Sequence, residues 1–150
     1  MKELSTDEML TMLHEQFAQG SGFSIVVRGT SMVPFLRSGK DSVVLVPLKG
    51  EPRVGQILLF RDGQRLILHR LIRKENDRYV MNGDGQEKLE VIRREQVEAV
   101  VSQVVRRSGR RISCDSPGFR LVSSLWRVTR PFRHWLIPLA ENIKRRIRRR

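Results

Sequence analysis

Met9, Leu10, Leu13 and Phe17 recur at helical intervals behind Ser5-Thr6-Asp7-Glu8, which has the spacing of a capping box. This pattern predicts a helix from about Thr6 to Gln19, ended by Gly20-Ser21-Gly22. The period then changes to that of strands. Apolar and β-branched residues cluster over Phe23 to Arg28, Ser42 to Val46, Gln56 to Arg61, Arg65 to Ile72, Arg78 to Met81 and Val97 to Arg106. Asp62-Gly63 lies between the third and fourth runs as a hairpin signal, and Asn82-Gly83 closes the fifth. About six short strands with glycine-marked connections predict a compact, mostly antiparallel β architecture.

The pattern changes again after Arg106. Ser108-Gly109-Arg110 and Ser116-Pro117-Gly118 have the composition of a linker. Beyond them Leu121, Leu125, Val128, Phe132, Leu136, Leu139, Ile143 and Ile147 return every three or four residues, with Arg120, Arg127, Arg130, Lys144, Arg145 and Arg148 largely on other faces. Such a stretch predicts a basic amphipathic helix, divided or kinked at Pro131 and Pro138. The chain thus divides into an N-terminal helix (1–20), a β core (21–107), a linker (108–118) and a basic helical tail (119–150).

Charge sharpens this division. Residues 1–105 hold 15 Lys/Arg against 14 Asp/Glu, whereas residues 106–150 hold 14 against 2. The excess positive charge therefore belongs to the tail and points it toward an anionic partner: a membrane surface, nucleic acid or an acidic protein. Aromatics are sparse and no base-stacking pattern is interleaved with the arginines, which argues against sequence-specific nucleic-acid recognition. One cysteine, Cys114, excludes an internal disulfide and a zinc site built on paired cysteines. His14, His69 and His134 lie far apart, so no metal site and no cofactor are expected. No apolar run reaches the ~18 residues that a membrane-spanning helix needs. The N-terminal stretch carries Glu3, Asp7, Glu8 and Glu15 and does not read as a secretory signal. The expected compartment is the cytoplasm, with the tail available for peripheral contact with a membrane.

The stretch richest in chemistry is Arg28-Gly29-Thr30-Ser31-Met32-Val33-Pro34. A strand runs into a glycine, a serine and then a proline, an order that leaves a hydroxyl and nearby N–H groups at a strand end. Attack on a carbonyl and stabilisation of the resulting oxyanion need both. Taken alone, Ser31 equally suits a turn serine bonding its own backbone. Ser31 to Pro34 resembles the Ser-Met-x-Pro nucleophile box of type I signal peptidases, and the self-cleaving LexA-type repressors carry a similar Ser-Met box. Val54-Gly55-Gln56-Ile57-Leu58-Leu59-Phe60 resembles a following Gly-Asp strand, with Gln56 in place of the acid. Leu68-His69-Arg70-Leu71-Ile72 resembles the His-Arg strand of the signal peptidases of the endoplasmic reticulum, archaea and sporulating bacteria. Tyr79 to Asp84 resembles that family's second Gly-Asp box. The four boxes stand in the family's order over roughly residues 23–105.

The resemblance implies a signal peptidase/LexA-like β fold and a serine endopeptidase acting on leader-type peptides. Ser31 would be the nucleophile and His69 the general base, in the subclass that uses histidine rather than a buried lysine. A histidine with an ordinary pKa of ~6.5 needs little tuning to act at neutral pH. Without the other boxes, His69 is simply a histidine in an amphipathic strand. Asp84 is the favoured third member, and Glu90, a few residues past the Gly-Asp, is the alternative. Arg70 falls on the opposite face from His69 by strand alternation. The resemblance further implies a substrate held as an extended strand, with Met32, Val33 and Phe35 lining pockets for small residues. The sequence departs from the family at Gly29, where many members carry a hydroxyl oxyanion donor, and at Gln56. It also shows no N-terminal anchor, no second β domain and no DNA-binding domain. These departures keep other readings open: an idle scaffold binding an anionic partner through its tail, or a self-cleaving protein.

Overall fold

A computed structural model describes residues 4–132 of the chain. The chain forms α1 (Thr6–Ala18), then β1 (Phe23–Val26), β2 (Ser42–Val46), β3 (Ile57–Asp62), β4 (Arg65–Glu75), β5 (Arg78–Asn82), β6 (Leu89–Arg93), β7 (Val97–Val105), β8 (Arg111–Ser113) and α2 (Pro117–Val128). All strand pairs are antiparallel and run β1-β2-β7-β3-β4-β5-β6, with β8 added to β7. The protein is mostly β, with a helix at each end of the described segment.

Local chemistry accounts for the elements. At the start of α1 the Glu8 N–H donates to Ser5 Oγ (3.2 Å) and the Ser5 N–H donates to Glu8 Oε2 (2.8 Å), completing the capping box. β3 and β4 pair from Ile57↔Arg70 to Asp62↔Arg65 through a two-residue turn. β3 is buried on both faces and separates two apolar clusters. Ile57 and Leu59 join Leu13, Met32, Leu36, Val43, Leu45 and Val101 on one side, while Leu58 and Phe60 join Leu71, Tyr79, Met81 and Ile92 on the other. Strand alternation carries successive side chains into opposite cores.

Residues 108–118, expected as a linker, instead contain β8, which pairs Arg111 with Val105 and Ser113 with Gln103. Its polar sequence hides a short edge ladder. β6 likewise adds a strand on β5 that the charged run Leu89–Arg93 does not announce.

Of the stretch expected as a basic helical tail, the described residues contain α2, which ends at Val128, before Pro131. Ser116 caps α2 by accepting from the Phe119 N–H (3.3 Å). Phe119 and Trp126 pack on the core, and Ser123 is buried beneath the helix. The aliphatic stripe of Leu121, Leu125 and Val128 points outward, at 60%, 59% and 74% exposure, with Val122 and Phe132 also exposed. Helical period identifies a stripe, not the side that faces the core. The remainder of the tail, residues 133–150, lies outside the described residues, as does Trp135.

Candidate active site

Ser31 follows β1 on a loop that several buried contacts hold in place. Asp41 is fully buried and accepts from Arg37 N–H (2.8 Å), Arg37 Nη2 (2.9 Å) and Arg106 Nη1 (2.7 Å). Burial pushes the Asp41 carboxyl up, and the hydrogen bonds from Arg37 and Arg106 outweigh it, leaving its pKa below the ordinary 3.8. The same Arg106 nitrogen donates to the Phe35 carbonyl, so one acid and two arginines close the loop from Ser31 to β2. Met32 and Leu36 anchor it in the core. Gly29 has φ +79°, in the left-handed region that β-carbon sterics disfavour. The hydroxyl side chain that the family resemblance leads one to expect there meets a backbone that selects glycine.

The second half of the site comes from β4. His69 and Arg70 are neighbours on opposite faces, and each takes a different carboxylate. His69 is 3% exposed, stands edge-on to the Phe60 ring (5.9 Å), and shares a hydrogen bond through Nδ1 with Glu90 Oε2 at 3.0 Å. Arg70 donates from Nε and Nη2 to both oxygens of Asp84 (2.8 and 2.7 Å) and from Nη1 to the Gly55 carbonyl (2.8 Å). Phe35 lies 4.7 Å from the Arg70 guanidinium carbon and Phe119 lies 5.9 Å from it. The carboxylate on the histidine ring is therefore Glu90, whereas Asp84, the favoured third member, is committed to Arg70. Asn82 explains how Glu90 reaches the ring. Its side-chain amide donates to the carbonyls of Gln86 (3.1 Å) and Lys88 (2.8 Å), folding the chain back so that β6 brings Glu90 beside β5.

The turn Gly83-Asp84-Gly85 joins the two halves. The Gly85 N–H donates to the Ser31 carbonyl (2.8 Å). A β-carbon at Gly83 would lie 2.5 Å from that carbonyl oxygen and 3.1 Å from His69 Nε2. Any side chain there would wedge the serine loop and the imidazole apart. Both residues line one cleft of about 470 Å³, bounded by β1 and its loop on one side and by Arg65–His69 of β4 on the other. Met32 forms part of its wall, while Phe35 is buried under Arg70 and Val33 does not line it. The Ser31 hydroxyl makes no hydrogen bond to a described residue, so serine and histidine share the cleft without a formed bond.

Burial is the largest influence on His69 and lowers its pKa from the ordinary 6.5, with Glu90 and then Asp84 opposing it and Arg65 reinforcing it. The ring is thereby held neutral at neutral pH. If Nδ1 carries the proton toward Glu90, Nε2 is left as an acceptor on the serine side. Cys114 is half-buried, and desolvation pushes its thiol up to about 12, which makes it a poor nucleophile. Gln56, standing where an acid was expected, accepts from the Arg53 N–H (2.7 Å) and serves the turn before β3.

Two contributors escaped sequence reasoning. Asp41 was detectable as a lone acid immediately before an apolar strand. Trp126, whose indole donates to the Asp84 carbonyl (2.9 Å), had no local signal linking it to a turn so distant in sequence. No protein-family model matches the chain, and neither does any curated protein. Among the described residues no cluster of metal-ligating side chains occurs, and no helix is long and apolar enough to cross a membrane.

Proposed function

We propose that the protein is a serine hydrolase, with Ser31 as nucleophile and His69 as general base. Within that class we read it as a signal-peptidase-like endopeptidase. The observation that carries the reading is a cleft lined by both Ser31 and His69, with Glu90 on the far nitrogen of the ring. His69 Nε2 takes the hydroxyl proton as Ser31 Oγ attacks a peptide carbonyl. The tetrahedral oxyanion collapses to an acyl-enzyme as His69 returns the proton to the leaving amine. Water, deprotonated by the same ring, then releases the acyl group. Glu90 orients the imidazole and favours its protonated form during each transfer. The Ser31 N–H, without a partner among the described residues, is the backbone donor for the oxyanion.

The cleft suits an extended peptide. Among the described residues β1 pairs with β2 alone, and Arg65–His69 of β4 pair with β3 but not with β5, whose ladder begins at Arg70↔Asn82. A substrate strand would complete hydrogen bonding along these edges. Ser31→Ala should abolish both peptide cleavage and labelling by a serine-acylating fluorophosphonate, with the fold intact by circular dichroism. Retained cleavage in this variant would reject Ser31 as nucleophile. An idle scaffold would show neither reaction in the wild type, and a self-cleaving one would show a mass loss on incubation at mildly alkaline pH. The basic tail supports a second, compatible reading, attachment to an anionic surface such as a membrane.

A further inference from the structure

A second cavity, of about 250 Å³, lies between α2 and the turn leading into β3 and shares no lining residue with the Ser31 cleft. Three arginines, Arg53, Arg120 and Arg127, line it together with Ser123 and Ser124. The acid on its wall, Asp115, accepts from Arg53 Nη2 (2.6 Å) and stands 3.8 Å from Arg120 Nη2. Arg127 has no carboxylate partner among the described residues. Its Nη2 donates to Ser124 Oγ (3.1 Å), and its Nε is buried without a partner among the described residues. Ser123 is 3% exposed, and its hydroxyl is likewise buried with no partner among the described residues.

A buried polar atom left unpaired is destabilising, and folded proteins rarely tolerate two in one place without a ligand or water to satisfy them. Here the two belong to a guanidinium and a hydroxyl on one helix flank, with net positive charge around them. Tetrahedral oxyanions are recognised by this combination: a fork of N–H donors, a neutralising charge and a hydroxyl. We infer that this cavity is an anion site for a phosphate group, held by Arg127, Ser123 and Ser124 with Arg120 and Arg53 at its mouth. The source of the phosphate follows from the rest of α2. Its exposed stripe of Leu121, Leu125 and Val128 adjoins the cavity on the same helix, so acyl chains can meet the stripe while one headgroup enters the arginine pocket. This gives the anionic-surface reading of the tail a defined lipid site, and it stands whether or not Ser31 is catalytic.

The test uses the full chain and two probes. Inorganic phosphate, titrated against chloride at equal ionic strength, should shift the Gly55 and Ser124 amide resonances saturably. Arg127→Gln and Ser123→Ala should each weaken that response about tenfold. Ser123→Ala removes only an unpaired hydroxyl, so its fold should be unharmed and a loss of binding cannot be ascribed to unfolding. Arg110→Gln, which removes the same charge from the exposed β7–β8 turn, should leave the response unchanged. Vesicles of phosphatidylglycerol in phosphatidylcholine should retain the wild type, and Arg127→Gln should lower retention several-fold more than Arg110→Gln. No saturable phosphate response, or equal losses in Arg127→Gln and Arg110→Gln, would reject the site. A phosphate response with vesicle retention indifferent to Arg127 would reject the headgroup as its source.

Discussion

His69 and Arg70 are consecutive on one strand, and each is a buried base facing a carboxylate, yet they are arranged for opposite ends. Arg70 spends all three guanidinium nitrogens on Asp84 and the Gly55 carbonyl, and aromatic rings flank its planar face. At 0% exposure it presents no donor to a substrate. His69 meets Glu90 through one nitrogen, while the other points toward the serine loop at the edge of a cleft. A saturated pair stiffens the fold, whereas a half-satisfied pair leaves a ring nitrogen available for the proposed chemistry. The pKa influences follow the same division, since burial lowers His69 while Glu90 and Asp84 oppose it, leaving the ring neutral but able to take a proton.

The largest effect should come from breaking the saturated pair. Asp84→Asn leaves the Arg70 charge buried without compensation, and unfolding by urea should show a loss of about 3–5 kcal/mol. Glu90 lies nearer the surface than Asp84 and faces a neutral ring rather than a fixed charge, so Glu90→Gln should change stability by less than about 1 kcal/mol. Equal destabilisation by the two variants would erase the distinction between the pairs. In activity the order should reverse. Glu90→Gln should lower kcat/KM about 10²-fold by losing ring orientation and the stabilisation of the imidazolium.

The same variant sharpens the comparison through pH. Catalysis needs neutral His69, so activity should rise as pH increases through the His69 pKa, with an acid limb below 6.5 because burial lowers that value. Glu90 acts to raise it, by charge and by hydrogen bond, so its removal should move the limb to lower pH. A limb that stays fixed or moves upward in Glu90→Gln would show that another group sets the titration.

Sequence legibility differs between the same two pairs. Ser31 and His69 were singled out because they sit in boxes with characteristic neighbours, and the structure brings both to one cleft; strand alternation was enough to send Arg70 the other way. The choice between Asp84 and Glu90 was not readable, because it depends on the long-range pairing of β5 with β6. Glu90 lies in Leu89–Arg93, where charges at Glu90 and Arg93 blur the period of a strand. β8 was missed for a similar reason, being three residues long with an exposed arginine at its start. In α2 the stripe was visible but its direction was not. The residues that pack inward are two aromatics and a serine, and a hydropathy pattern weights Leu121 and Leu125 more heavily than Ser123.

The smallest of these effects tests whether α2 belongs to the saturated side. Trp126 stacks edge-on with Phe35 (6.1 Å) and donates its indole N–H to the carbonyl of Asp84. It thus secures the backbone of the residue that neutralises Arg70, while the neighbouring Gly85 N–H holds the Ser31 carbonyl. Trp126→Phe keeps an aromatic ring and removes that one bond, so thermal unfolding should fall by about 1 kcal/mol, a few degrees. If the turn only stiffens the fold, kcat/KM should stay within about twofold of the wild type. If it also sets where Ser31 lies relative to His69, kcat should drop further than stability does, with KM nearly constant. The second outcome would join the two pairs into one unit and remove the contrast between a structural and a chemical half of β4.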